Sequence, residues 1–559
     1  MARIYRDPKT VPVPQLDLLT FIFDSEHSAF RSAPDDIVLH AEAANPENKV
    51  TRGRFLAYIE QFAHGLRHQY GIGAKGPNED VVVVMSTGQP LIPAVFFGII
   101  CAGGVVSSAS HSFTPAELAR QIKQGGSNLL VTSPDLRHVA FEAAKQCDLP
   151  MSRVLVIQSS PVWSFKSADG LVDIWSDQRL TWKRIMDREE LKKSLIVLLY
   201  SSGTTGPPKG VMLSHLNLVT EIAVPAAQSK EWAASQGPDF APPPMRTVAH
   251  LPIAHIAGLA GYMLVPPMAA GTVYWMRKYE WKSFIKHMKE FQVTAFYTVP
   301  SIFLRIAKSP DVTDHFKSVL AATTGAAPMD AELQNAANAK LGAGATFIGQ
   351  TWGLSETTGA VTAMPKGQTD TTGSISPVLP NMQVRLVDDN DNDVEEGQPG
   401  ELIVKGDIVT NGYYRNPEAT RDAFRNGWFC SGDIAVLRNG MFYIVDRKKE
   451  LIKYKGLQIA PAELESLLIT HPKVQEACVV GIPEEGGTSE VPRAYVVTNA
   501  SDLSEDEVKK YVADNLSPYK QLRGGVKFVD AIPKNAIGKM LRRELRDQAR
   551  KEAQRTARL

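Results

Sequence analysis

The chain has 559 residues, 44% of them hydrophobic and 22% charged, with a net charge of +1. That length exceeds one ordinary core, so two or more domains are expected, and the charge balance gives no overall pull toward nucleic acid or an anionic membrane. The four cysteines, Cys101, Cys147, Cys430 and Cys478, have no metal-ligand or redox spacing, which points to a reducing compartment.

In chain order, the opening "MARIYRDPKTVPVPQ" lacks the apolar core of a secretory signal. The most membrane-like stretch, "LIPAVFFGIICAGGVV" (91–106), is shorter than the ~20 residues of a span and reads as a buried helix. Short apolar runs at 81–85, 128–132, 195–200, 272–276, 294–299 and 318–323 read as buried strands. Between several of them lie amphipathic stretches such as 281–292 and 330–341. This alternation predicts an α/β fold with layered, mostly parallel sheets.

The texture changes after about residue 380. The segment 383–406 reads as strand, acidic turn, Gly-Pro turn and strand, which predicts a β-rich subdomain. Residues 447–559 hold 21 Lys and Arg against 16 Asp and Glu, a net of +5. A boundary at 446–449 is expected, dividing a large domain (1–446) from a small α+β domain (447–559).

The stretch "YSSGTTGPPKG" (200–210) follows an apolar strand. Glycine permits positive φ and close approach of backbone N–H groups to an anion, and hydroxyls add donors. The reading is a polyphosphate cradle, and the spacing is not that of a Walker A loop.

This stretch resembles the signature loop of the adenylate-forming superfamily, which contains acyl-CoA synthetases, nonribosomal-peptide adenylation domains and beetle luciferases. Further resemblances follow in the family's order: "HLPIAHIAG" (250–258), "TTGAAP" (323–328), "GQTWGLSETTG" (349–359), "GELIVKG" (400–406), "WFCSGD" (428–433), "DRKKELIKYKGLQIAPAELE" (446–465) and "PKNAIGKMLRREL" (533–545). The resemblance implies two half-reactions in one site. A carboxylate attacks the α-phosphate of ATP, pyrophosphate leaves, and a thiol then displaces AMP from the acyl-adenylate.

By that resemblance Ser201, Ser202, Gly203, Thr204, Thr205, Gly206 and Lys209 grip the β- and γ-phosphates. Ser355, replacing the usual threonine, meets the α-phosphate, and Glu356 is the Mg²⁺-associated carboxylate, a hard ligand for a hard cation. Asp433 accepts from the ribose hydroxyls and Arg447 contacts ribose and phosphate. Gly325, Ala326 and Ala327 line the adenine and acyl slots. Gln350, Thr351 and Trp352 stand where relatives have Gln-Gly-Tyr, with the aromatic stacked on adenine.

Lys539 matches the lysine that adenylation requires, bridging carboxylate and α-phosphate. Lys449 matches a hinge about which the mobile C-terminal domain turns between half-reactions. Lys453, Lys455, Gly456 and Gln458 match the face used with coenzyme A, and Lys278 a further coenzyme A contact.

Aryl- and medium-chain acid–CoA ligases, coumarate–CoA ligases among them, are the nearest resemblance. His255 matches a gate between acyl tunnel and thiol channel. Ala257 and Gly261 stand where coumarate ligases carry tyrosine and serine, which implies a larger slot for a bulkier or more apolar aryl, aryl-alkanoic or medium-chain acid. The final Ala557-Arg558-Leu559 fits the small–basic–Leu pattern of peroxisomal import, so peroxisomal placement is expected, with the cytoplasm as the alternative. Transfer to a carrier protein, an amine or another acceptor stays open, as does a nucleotide-binding regulator without catalysis; Lys209, Glu356, Asp433 and Lys539 together speak against the regulator.

Overall fold

The computed structural model describes residues 2–201, 208–454, 457–484, 489–535 and 538–556. Its largest sheet has seven strands, in the order Ser164–Ser167, Val154–Gln158, Leu129–Thr132, Val81–Met85, Val105–Ser108, Leu195–Ser201 and Lys209–Ser214. The five inner strands are parallel and the two outer strands antiparallel. Val81–Met85 is buried along its whole length, as a central strand covered on both faces must be.

The apolar stretch 91–106 is corrected in part. Helix Ile92–Cys101 is wholly buried, but a turn follows it and Val105–Ser108 forms a strand beside Val81–Met85. Helix Arg52–Tyr70 covers it, with Phe62 against Gly98. Among the described residues no helix is long and apolar enough to cross a membrane.

A second sheet joins Arg246–Ala249, Thr272–Trp275, Val38–Glu42 and Asn45–Thr51, and a third, all parallel, joins Ala295–Thr298, Ala321–Thr324 and Ile348–Gln350. The strand expected at 318–323 therefore begins later, at Ala321, because Phe316 and Val319 pack into the core ahead of the ladder. Helices Trp281–Glu290 and Ala331–Asn338 occupy the two expected amphipathic stretches.

Beyond residue 380 an antiparallel sheet pairs Gln383–Val387 with Gly400–Lys405, then Trp428–Arg438 and Met441–Arg447. Its core of Val384, Leu386, Leu402, Val404, Ala435, Leu437 and Phe442 also takes in Trp352. The following residues build a separate core from Ile452, Ile459, Leu464, Leu468, Val479, Ala494, Val496 and Val512. Its elements are a hairpin (Ile452–Tyr454 with Leu457–Ile459), three strands ending with Val526–Phe528, and helices Pro461–Thr470, Glu505–Asn515 and Arg542–Thr556. All four cysteines are free thiols.

Candidate active site

A cleft of about 1400 Å³ runs between the parallel sheets, the antiparallel sheet and the C-terminal elements. Its walls carry Ser201, Lys209, His255, Gly325, Thr351, Ser355, Glu356, Arg447, Lys449 and Lys539, drawn from positions far apart in the chain.

At one side the strand Leu195–Ser201 ends and Lys209–Ser214 returns antiparallel, with Ser201 opposite Lys209. Ser202, Gly203, Thr204, Thr205 and Gly206 lie outside the described residues. The Lys209 ammonium stands 4.9 Å from the Tyr413 ring centroid, a cation–π contact. The Tyr413 hydroxyl donates to Glu356 Oε1 at 3.0 Å. Burial, reinforced by Glu356, raises the Tyr413 pKa, so the phenol remains a donor.

Glu356 sits in a short 3₁₀ turn, Ser355–Thr357, and is only 8% exposed. Thr358 closes that turn at φ 58°, an unusual conformation for a β-branched residue, with its hydroxyl donating to Ile408 O. Tyr413 was not singled out from sequence; its signal is the aromatic pair "YY" that follows "TNG" (410–412).

Across the cleft, Asp433 lies on the long strand Trp428–Arg438, opposite Arg447 in the register. Its Oδ1 is 3.1 Å from Arg447 Nε, and its Oδ2 accepts from Trp352 Nε1 at 2.9 Å. The stacking role expected for Trp352 is corrected here. The indole is 6% exposed and packed in the antiparallel-sheet core, so its polar edge orients Asp433 and its face is not offered to the cleft.

Gln350 is likewise structural, donating to Met329 O at 2.9 Å. Thr351 is on the cleft wall, its hydroxyl held by Thr362 O. Gly325 and Ala326 line the cleft, whereas Ala327 is exposed and off the wall. A Cβ at Gly325 would stand 2.7 Å from Tyr297 Oη and 3.0 Å from Thr351 Cγ2, so only glycine fits.

Lys539 enters from the C-terminal elements. The Asn535 N–H donates to Lys539 O at 2.9 Å, and Asn535 Oδ1 accepts the Lys539 N–H at 2.9 Å. Gly538, at φ 78°, lets this turn approach Ser301: a Cβ there would stand 3.1 Å from Ser301 Oγ. Burial first, then the neighbouring Arg447 cation, lower the Lys539 pKa to about 8. Arg542, on the same helix-bearing segment, ties Glu450 (2.9 Å) to Glu465 (2.5 Å) behind it.

His255 Nδ1 accepts the Ala257 N–H at 3.2 Å, which leaves the ring proton on Nε2. Burial, and then Lys539, hold its pKa near 4, so the imidazole is neutral. Beyond it Ala257 and Gly261 line the slot, Gly261 within a π-helical stretch (Leu259–Leu264), a feature frequent at functional sites. A Cβ at Gly261 would meet nothing within 4 Å. The more apolar slot expected is corrected in part, because Glu221 and Tyr297 share its wall.

Lys278 is not on this cleft; it lines a small separate cavity near His111 and Arg277. Lys453 and Gln458 face each other across the hairpin and are exposed, away from the cleft wall. Lys455, Gly456 and the tripeptide Ala557-Arg558-Leu559 lie outside the described residues.

Among the described residues no group of three or more His, Cys, Asp or Glu side chains could cage a metal. One buried carboxylate, Glu356, on the cleft wall fits Mg²⁺, which usually keeps waters and substrate phosphates as its remaining ligands.

Lys539, Glu356 and Arg447 converge on one cleft at the junction of two cores, with Asp433 buried behind the wall and paired to Arg447, and this set defines an enzyme of the adenylate-forming class. Comparisons agree: the AMP-binding enzyme model matches residues 26–414, and the AMP-binding enzyme C-terminal domain model matches residues 463–539. The chain belongs to the AMP-binding enzyme family. A protein of Emericella nidulans named as an acyl-coenzyme A synthetase is 47% identical over 99% of this chain and 100% of its own. Phenylacetyl-CoA ligase epaB of Aspergillus niger is 30% identical over 96% of this chain and 98% of its own. Tobacco (Nicotiana tabacum) 4-coumarate–CoA ligase 2 is 34% identical over 86% of each chain. Among solved structures, ATP-bound MatB from Rhodopseudomonas palustris superposes with a TM-score of 0.79 at 25% identity, covering 95% of this chain and 98% of its own.

Proposed function

We propose that the protein is an ATP-dependent acid–CoA ligase that works through an acyl-adenylate. The observation that carries this reading is the half-buried Lys539 on the same cleft wall as Arg447, Ser355 and Glu356, with the slot past His255 opening from it. The acid's carboxylate oxygen attacks the α-phosphorus, the bond to the bridging oxygen breaks, and pyrophosphate leaves. Lys539 as an ammonium holds carboxylate and α-phosphate together and offsets the charge that grows between them. Asp433, oriented by Trp352 and Arg447, is placed to accept from a ribose. Glu356 would hold Mg²⁺, which neutralises the departing phosphates.

In the second step the thiol of coenzyme A attacks the acyl carbon and AMP departs. A turn of the C-terminal domain about Lys449 would withdraw Lys539 and bring the exposed Lys453 and Gln458 to the cleft, with the domain boundary at 446–449. Relatives named for phenylacetate and 4-coumarate support an aryl or aryl-alkanoic acid, medium-chain acids remaining in the same range. The test is product identification by mass spectrometry with ATP, Mg²⁺, coenzyme A and a panel of aryl and C4–C12 acids. Acyl-CoA is the expected product; acyl-AMP without thioester would assign another acceptor, and no acid-dependent pyrophosphate would overturn the reading.

A further inference from the structure

Glu221 is a carboxyl group in an unexpected place. It lies in the middle of helix His215–Ser235, and its side chain is on the cleft wall together with Ala257, Ala260, Gly261, Val265 and Tyr297. No cation pairs with it among the described residues. Oε1 accepts the Ala360 N–H at 2.8 Å, and the carboxyl group lies against the Cα of Gly359, where a Cβ would stand 2.3 Å from Oε1. Ala360 N–H is the one hydrogen-bond partner of Glu221 among the described residues, so Oε2 is unshared. The Tyr297 hydroxyl, close enough to feel the Glu221 charge, also has no hydrogen-bond partner among them.

A carboxyl group needed only to hold the Gly359–Ala360 turn has no reason to stand on the cleft wall beside Ala257, Ala260 and Gly261 with its second oxygen unpartnered. An alkyl or plain phenyl tail lying there would desolvate Oε2 and Tyr297 Oη without replacing their hydrogen bonds, which penalises binding for each group left unpaired. A tail that donates a hydrogen bond removes that penalty. Burial raises the Glu221 pKa well above the ordinary carboxylate range, and a donor on the bound acid favours the ionised form and lowers it again, so that Oε2 accepts in the complex.

We propose that Glu221, with Tyr297 beside it, is the specificity-determining residue of the acyl slot. It selects carboxylic acids whose far end carries a hydrogen-bond donor, a hydroxyl or an amino group, and Glu221 Oε2 is the acceptor. This rests on the ligase reading above and names the substrate class of that same slot.

The test is acid-dependent pyrophosphate release and substrate Kd with matched acids that differ at one position. The set is 3-phenylpropanoate with its 4-hydroxy and 4-amino forms, and octanoate with its 8-hydroxy and 8-amino forms. The native enzyme is expected to favour at least one donor-bearing form over its plain parent by about 10–100-fold in kcat/KM. The hydroxy and amino arms separate the two donor sources.

Glu221→Gln keeps an oxygen for Ala360 N–H and turns an amide NH₂ toward the slot. It is expected to lose the donor preference and to gain on a 4-methoxy acid. Glu221→Leu is expected to favour the plain acids. Equal turnover of plain and donor-bearing acids by the native enzyme overturns the inference while leaving the ligase reading intact. So does a Glu221→Gln variant that keeps the native preference. Failure to release pyrophosphate with any acid overturns both. Because the native enzyme alone supplies the first comparison, a variant that does not fold leaves the test decisive.

Discussion

Trp352 Nε1 and Arg447 Nε grip the two oxygens of Asp433, at 2.9 Å and 3.1 Å, so the carboxylate is oriented from both sides before any nucleotide arrives. Trp352 comes from the large domain's sheet core and Arg447 from the end of the last strand before the C-terminal elements. The group expected to hold the ribose is therefore set by residues on both sides of the expected domain junction. A hydrogen bond to an ionised group is worth about 1.5–3 kcal/mol. Trp352→Phe should weaken ATP binding roughly tenfold, with the acid's KM little changed, as calorimetric titration and steady-state kinetics would measure. Unchanged ATP affinity would mean that Arg447 orients Asp433 unaided.

The lowered pKa of Lys539 has a direct consequence for rate. Its ammonium is the working form, and it neutralises as pH rises through about 8. kcat/KM for acid-dependent pyrophosphate release should therefore fall on the alkaline side with an apparent pKa near 8. Lys539→Arg should abolish that limb whatever activity it keeps. Lys539→Ala should lose about 10²–10³ in adenylation and still thioesterify a supplied acyl-adenylate. A Lys539→Ala enzyme that adenylates normally would remove the lysine from the mechanism.

Gly261 and Gly325 make opposite predictions although both face the cleft. At Gly261 a new side chain points into open space, so Gly261→Ser should leave the melting temperature within experimental error and shift selectivity toward smaller acids. At Gly325 a methyl group meets Tyr297 Oη and Thr351, so Gly325→Ala should cost about 1–3 kcal/mol of stability and most of the activity. Thermal melts together with the acid series would distinguish the two.

Four histidines, the buried His40, His215 and His250 and the half-buried His255, are neutral, with pKa values lowered to about 3 for His40 and about 4 for the others, desolvation being the leading cause for each. Their unfolded-state pKa is near 6.5, so between pH 6.5 and 4 the unfolded chain binds the extra protons. Stability should therefore fall as pH falls through that window, by up to ~3 kcal/mol per histidine near its lower end. Urea denaturation at pH 7, 6 and 5 reads this directly. His250→Asn, which can keep a bond to Thr298, should flatten the slope.

Residues 81–85, 195–201 and 383–406 were legible because a buried strand, or a strand pair around an acidic turn, writes its period and its breakers into adjacent positions. The adenylate-forming class was legible for a related reason. The Ser355–Thr357 turn and the turn at Gly538–Lys539 are short local segments whose backbone demands confine the residue types. The strand at Ala321–Thr324 began later than its apolar run because Phe316 and Val319 spend their side chains on a helix-packed core, a choice no local window records.

The surroundings of Trp352 and Glu221 were decided by the tertiary structure alone. An indole in "GQTWG" can stack or donate, and it donates here because the antiparallel sheet brings Asp433 to its Nε1 from 81 positions away. A glutamate in a helix reads as a solvated face until the cleft is seen to close around it. Sequence by itself determined the chemistry that each short motif can do, since that depends on covalent neighbours. Which side chains meet depended on packing between segments 81 to 139 residues apart, as for Trp352 with Asp433 and Glu221 with Ala360, and only the folded chain supplies it.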